Sequence, residues 1–431
     1  MVLNSKIKSI EAKEILDSRK IPTIETKILT DFGVFYASVP SGTSRGKFEA
    51  VEIRNKDGKG VKKAIENIEK IIAPALENED PTDQKRIDEI LINLDGTKNK
   101  SRLGVNAILP VSIVMCRAGA TAKKVPLYTH ISQIAENSLP RTIRARRGLV
   151  RGSLPILPSP SLLLIEGGKH AENQLNLQEF MIVPEGESFE EKFRKGKEVY
   201  RNLGLILEKE YGKKSTRAGL EGAFTVPSLK RTKEAMDLIT KVIRESGQEN
   251  QIKIAIDSAA SSFFNGEKYD FEGEKLTREE LSDFYSGLCE KYPIISIEDP
   301  FAEEDWKGWA MLNCKLQTAN CKLLIIGDDL TVTNPERIRE AKKKKACNAV
   351  IIKPNQIGTV TETIEAAKLA KSYGWKLVVS HRSGETIDDF IADLAVGLGA
   401  DFIKSGAPAP KERMVKYGRL LEIEEEIHLA S

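Results

Sequence analysis

Beyond residue 250 the chain repeats one short pattern, in which an apolar run of strand length ends on an ionisable residue and is followed by an amphipathic stretch of helix length. The runs are "KIAIDSAASSFF" ending at Asp257, "PIISIEDPFAEEDW" at Glu298, "KLLIIGDDLTVTNP" at Asp328, "NAVIIKPNQIGT" at Lys353, "KLVVSHRSGET" at His381 and "DFIKSGAPAP" at Lys404. Strand-length and helix-length segments in alternation predict βα units and a parallel sheet. Spacings of 41, 30, 25, 28 and 23 residues between these side chains suit one such unit each. In an α/β barrel the C-terminal ends of the strands surround one mouth, so the six ionisable side chains are expected to converge there.

The preceding chain has a different character. A length of 431 residues exceeds what a single core normally fills, so two domains, or one barrel with an appendage, are expected. From residue 1 to about 135 the pattern is α+β. "PTIETKILTDFGVFYASV" alternates as two strands across a turn at Asp31-Phe32-Gly33, and "GVKKAIENIEKIIAPAL" and "DPTDQKRIDEILINL" carry helical apolar spacing. The Gly/Ser loop "VPSGTSRGKFEA" is too long for a tight hairpin and is a candidate functional loop. Pro110 falls in a helical stretch, where a proline beyond the first turn costs about 3 kcal/mol.

Charged residues make up 30% and the net charge is +3, so composition implies no attraction to nucleic acid or membrane. The arginine-rich stretch 141–151 has no interleaved aromatics and is read as a solvated linker. Five cysteines without a CxxC pair point to reduced thiols in a core. The first residues lack an apolar leader, and no run reaches the roughly 18 apolar residues of a membrane span, so a cytoplasmic location is expected.

The converging set implies a chemistry. Asp257, Glu298 and Asp328 on neighbouring strands would repel unless a cation sits among them, and an all-oxygen trio suits a hard divalent ion such as Mg²⁺. The alternative is that each acid merely caps the next helix. Lys353 follows "AVII" and shares the mouth with Lys404. Desolvation and like charge are expected to lower its pKa, as a general base near neutral pH requires; the alternative is a lysine permanently paired with one of the acids. His381, Arg382 and Ser383 together suit an anionic phosphate. A metal, a lysine base and a phosphate grip describe proton abstraction next to a carboxylate, with a second carboxylic acid needed if hydroxide is to leave. Glu221, in "RAGLEGAFTVP", and Glu179, in "LNLQEFMIVP", are the candidates. Read alone, Glu221 between two glycines is an ordinary surface turn.

The chain resembles the enolase family from end to end: "DGTKNKSRLG", "GGKHAENQLNLQEFMIVP", "SIEDPFAEEDW", "GDDLTVTNP", "KPNQIGT", "SHRSGET" and "IKSGAPA" look like enolase signatures, and "GGKH" with "KYGRLLEIEEEI" looks most like archaeal members. The resemblance implies an α/β barrel at 141–431 capped by an N-terminal α+β domain at 1–140. It implies dehydration of 2-phosphoglycerate to phosphoenolpyruvate, two Mg²⁺ ions and a homodimer. It assigns Lys353 as the base and Glu221 as the acid, with Glu179 beside it. Asp257, Glu298 and Asp328 would hold the first Mg²⁺, and Ser41 would join a second once substrate binds. His170, Gln178, Glu179, His381, Arg382, Ser383 and Lys404 would contact substrate. An enolase-like protein that binds phosphorylated acids with little turnover, or acts on another α-hydroxy acid, is the alternative.

The chain departs from the family pattern at several places. "DSRKIPT" stands for DSRGNPT, Arg45 is added in the Ser41 loop, Glu166 replaces an asparagine and Pro410 an arginine. The usual GDEGGFAP reads Gly219-Leu220-Glu221-Gly222-Ala223-Phe224-Thr225-Val226-Pro227.

Overall fold

The computed structural model describes residues 6–43, 46–137, 155–318 and 323–430. Arg45, Cys321, the stretch 141–151 and the expected domain boundary at 140/141 lie outside the described residues. Strands β1 (Ile7–Leu16), β2 (Pro22–Thr30) and β3 (Gly33–Ser38) form an antiparallel meander. Ile24, Thr26 and Ile28 alternate onto its buried face, as a period of two dictates. Lys20, where the family carries glycine, adopts a left-handed φ of 65°. The meander packs on helix Val105–Ala122, with a second helix at Gln84–Asp95 whose cap Asp83 accepts from the Arg86 N–H at 3.1 Å.

Pro110 lies in the interior of helix Val105–Ala122, not in its first turn, and the helix continues past it. The lost backbone bond is offset by burial, because nearly every residue from Val105 to Ala120 is inside the core. Contrary to the sequence expectation, this helix is long and apolar enough to cross a membrane by length and composition alone. It is 83% buried and serves as a core helix. Cys116, on the same helix, and Cys347 are buried thiols whose ionisation burial opposes, which fits core packing.

The described residues from 155 onward hold a closed eight-stranded barrel built from β4 (Ser159–Glu166), β5 (Glu179–Pro184), β6 (Ile252–Asp257), β9 (Ile294–Glu298), β10 (Leu324–Gly327), β11 (Ala349–Ile352), β12 (Lys376–Ser380) and β13 (Phe402–Lys404). A small hairpin, β7 (Tyr269–Phe271) and β8 (Glu274–Leu276), stands outside it. The six strands from β6 onward pair in parallel with one another, as the repeat predicts. β5 alone runs antiparallel to both neighbours. The β4–β5 connection holds only a short 3₁₀ turn, Gly168–His170, and so returns as a hairpin without the crossover helix a parallel strand needs.

Alternation along each strand places Ala255 below Asp257, Ser296 below Glu298 and Phe402 below Lys404 on one inward face. The N-terminal domain docks at the mouth of the barrel. Ser41 and Gly384 exchange backbone bonds of 2.9 Å, and Arg117 grips Asp388 at 2.7 and 2.9 Å.

Candidate active site

The antiparallel course of β5 puts its first residue, Glu179, at the mouth where the other strands end. Glu166, Glu179, Asp257 and Glu298 are successive register partners across four strands, forming a row of acids on the barrel rim. One cavity there is lined by His170, Glu221, Asp257, Lys353, Arg382 and Lys404 among others. Among the described residues none of the three strand-ending acids caps a helix; Asp257 instead accepts from the Ala259 N–H at 2.9 Å and faces the cavity.

Two ammonium groups neutralise these acids. Lys404 Nζ lies 2.9 Å from Asp257 Oδ2, 2.8 Å from Glu298 Oε2 and 2.9 Å from Glu179 Oε2. Burial opposes its charge, yet Asp257, Glu179 and Glu298 hold it well above the ordinary lysine range. Lys353 pairs with Asp328 Oδ2, and Gln356 Nε2 donates to Asp328 Oδ1 at 2.9 Å. Here the expectation of a depressed lysine is corrected. Burial lowers the Lys353 pKa, but the Asp328 carboxylate outweighs it and leaves the group above its ordinary value.

The three acids of the expected metal set share this site but meet different partners. Asp257 and Glu298 meet around Lys404, whereas Asp328 lies with Asp299 and Asp329, whose ligand oxygens fall within 4.8 Å of one another. Asp299 accepts from the Asp328 and Asp329 N–H groups at 2.9 and 2.8 Å, which sets that turn. The donor set suits a hard cation. It is all carboxylate, and Glu298 Oε1 is buried with no hydrogen-bond partner among the described residues. Burial and the neighbouring Asp257 push Glu298 up to about 8, the cost of crowding acids together.

Across the cavity, Glu221 stands between two histidines. His381 Nε2 lies 3.0 Å from Glu221 Oε2, and His170 Nδ1 lies 3.8 Å from both Glu221 Oε1 and Glu179 Oε1. Burial pushes His381 down to about 4, so its ring is neutral at pH 7. Arg413 Nη1 approaches His381 Nδ1 at 2.6 Å and can only donate, which leaves the ring proton on Nε2 facing Glu221. Burial works against the Glu221 charge, but His381 and His170 hold it well below the usual carboxylate range. Glu179 moves the other way, raised by burial despite Lys404. Glu221 is thus 3% exposed and inside the site, and the plain surface-turn reading of its sequence fails.

Arg382 binds Glu49 through two bonds of 2.8 and 3.2 Å, and Ser383 Oγ accepts from the Thr43 N–H at 2.8 Å. Gln178 lines the cavity with Oε1 buried and unbonded among the described residues. The Ser41 hydroxyl accepts from Arg19 Nη2 at 2.6 Å and donates to Asp17 Oδ2 at 3.4 Å. Ala259, Asp299, Val332 and Thr333 all hold left-handed φ angles between 43° and 53°. Strained backbone of this kind, here at Ala259 and Asp299 lining the cavity, is characteristic of functional sites.

Sequence reasoning missed Glu49, Arg413, Asp299 and Arg19. Asp299 adjoins a predicted ligand and was within reach of the strand-end argument. Nothing local marks Glu49 or Arg413, which reach the site from the N-terminal loop and from the C-terminal helix Lys411–Ala430.

The family model described as Enolase, N-terminal domain matches residues 7–131, and the one described as Enolase, C-terminal TIM barrel domain matches residues 154–431. An acid-rimmed barrel mouth under an N-terminal cap and these two matches lead to one assignment: the chain belongs to the enolase family of lyases.

Proposed function

We propose that the protein dehydrates 2-phosphoglycerate to phosphoenolpyruvate in cytoplasmic glycolysis or gluconeogenesis, with Lys353 taking the C2 proton and the Glu221–Glu179 side delivering a proton to the departing hydroxide. The observation that carries the reading is one cavity lined by Lys353, by Glu221 with Glu179, and by the Arg382–Ser383 grip. Proton removed and hydroxide protonated balance as one water.

The residues divide the work by environment. Glu179 and Glu221 are pushed to opposite sides of the usual carboxylate range, which is how a carboxyl pair separates a proton-holding partner from an ionised one. His170 and Gln178 border that pair, and His381 orients Glu221. Arg382 offers a planar fork matched to phosphate, and Ser383 a hydroxyl beside it. Glu49 already takes the Nη1 and Nη2 side of Arg382 that substrate phosphate would use.

Asp257, Glu298 and Asp328 would hold Mg²⁺, whose charge would draw off the carboxylate field that keeps Lys353 protonated and would favour the enediolate. A part for Ser41 at a second ion requires its hydroxyl to leave Arg19. The family's homodimer is carried with the reading; light scattering tests it against the 47.8 kDa chain mass.

The test is purified protein with 2-phosphoglycerate and Mg²⁺, following the ultraviolet absorbance of phosphoenolpyruvate, with Lys353→Ala as control. Absence of turnover in the wild type sinks the reading, and turnover unaffected by Lys353→Ala sinks the mechanism. Tight binding of phosphorylated acids without turnover would favour a binding role, a reading supported by the raised Lys353.

A further inference from the structure

The turn that carries Glu221 contains no polar side chain of its own beside the acid: its neighbours are Gly219, Leu220, Gly222 and Ala223. Its backbone is held from outside. Glu166, the last residue of β4 and fully buried, reaches under the turn and its Oε1 accepts from the Glu221 N–H at 3.0 Å and from the Ala223 N–H at 2.9 Å. Those two N–H groups flank the peptide unit that aims the Glu221 side chain.

The surroundings leave little space around this carboxyl group. A Cβ on Gly219 would stand 2.4 Å from Glu166 Oε2, so any larger residue there would push the Glu166 carboxyl out of its place. Gly222 has a φ of +90°, and a Cβ there would lie 2.1 Å from Pro410 Cγ. Arg413 Nη2 donates to the Leu220 carbonyl at 3.2 Å, and the turn is stitched to β4 by Phe224 N–H to the Leu164 carbonyl and Glu166 N–H to the Phe224 carbonyl, both 3.0 Å. Burial and the nearby Glu221 push Glu166 up to about 8, a cost that an apolar residue at this position would not incur.

We infer that Glu166 is a positioning residue for the proposed reaction, acting through the Glu221 and Ala223 amides to hold the Glu221 carboxyl at the correct place across the cavity from Lys353. This rests on the proposed dehydration, in which Glu221 serves the departure of hydroxide and Lys353 the removal of the C2 proton. Removing the Glu166 carboxyl group should therefore slow one half of the reaction and spare the other.

The experiment compares Glu166→Ala and Glu166→Gln with wild type by three readouts: steady-state dehydration, exchange of the C2 hydrogen of 2-phosphoglycerate with deuterated water, and amide hydrogen exchange of residues 219–224. A misplacement near 1 Å costs on the order of a hundredfold, so Glu166→Ala should lower kcat by about ten- to a hundredfold with KM little changed. C2 exchange should stay within about threefold of wild type, since hydrogen bonds to the turn leave the Lys353 side untouched. Amide exchange should quicken at 219–224 alone. Glu166→Gln, whose single Oε1 can accept both N–H groups, should recover most of the loss.

An unchanged kcat, or a parallel fall in dehydration and C2 exchange, overturns the inference. If wild type shows no turnover, the functional reading fails, and amide exchange alone decides on Glu166: unaltered protection at 219–224 in Glu166→Ala overturns its role. Should Glu166→Ala not fold, Glu166→Asp, which withdraws the carboxylate by one methylene, takes its place with the same readouts.

Discussion

Arg382 and Glu49 form a two-point ion pair, with Nη1 2.8 Å from one carboxylate oxygen and Nη2 3.2 Å from the other, and both side chains under one tenth exposed. Glu49 thus presents to Arg382 a pair of oxygens like the two-oxygen edge that a phosphate would. Its removal leaves a buried guanidinium in need of an anion, a loss worth about 3–5 kcal/mol when one partner of a buried pair is deleted. Glu49→Gln should lower the melting temperature without phosphate and enlarge the rise produced by inorganic phosphate. Equal phosphate shifts in variant and wild type, read by thermal melting, would show that the two anions do not compete.

Chelation should abolish activity and Mg²⁺ should restore it. Because Glu298 Oε1 is buried without a partner among the described residues, Mg²⁺ should also raise the melting temperature, and Glu298→Gln should remove most of that rise. Ser41→Ala should leave the rise intact, since the Ser41 hydroxyl is held by Arg19. Titration calorimetry with Mg²⁺ alone checks both variants.

Lys353→Ala should reduce kcat by about 10²–10⁴-fold, the usual weight of one proton-transfer group. Asp328 would lose its ammonium partner, so the variant should bind Mg²⁺ no more weakly than wild type. A large fall in Mg²⁺ affinity would count against the carboxylate and lysine competing for one charge.

His130 is buried in the N-terminal domain with neither ring nitrogen hydrogen-bonded among the described residues, and burial pushes it down to about 4. The unfolded chain, titrating near 6.5, binds the proton more readily than the folded one. Stability is therefore full above pH 6.5 and declines as pH falls towards 4, by about 2 kcal/mol at pH 5. His130→Leu should flatten this part of the profile, as urea midpoints at pH 7 and pH 5 would reveal.

Gly222→Ala should cost activity more than stability. Its φ of +90°, and a Pro410 ring carbon only 2.1 Å from where the added methyl would stand, force the turn to shift, and Glu221 shifts with it. A loss of about a hundredfold in kcat against a melting change of a few degrees is expected. A fall in melting temperature large enough to account for the lost activity would make the glycine a folding requirement only.

The six strand-ending side chains were legible because a parallel βα repeat leaves a linear trace. Each apolar run has one end, and in a barrel those ends share a mouth. Glu179 reaches the same mouth from the start of its strand, since β5 is reversed, so a rule about run ends does not place it there. Glu221 read as a surface turn for a similar reason: the N–H groups around it are satisfied by Glu166, 55 residues away.

The sequence by itself determined the barrel, the α+β cap, the acids and lysines at the strand ends, and membership of a family, because periodicity and local motifs are properties of neighbours along the chain. Only the tertiary structure decided which charge answers which. Lys404 sits among Asp257, Glu298 and Glu179, Lys353 on Asp328, Glu49 on Arg382 and Glu166 beneath Glu221. Those pairings depend on distances of about 3 Å between residues far apart in sequence, where buried charge interacts strongly and falls off quickly once water intervenes. The balance of such terms, invisible in any one segment, is what turned Lys353 upward in pKa and Glu221 inward to the site.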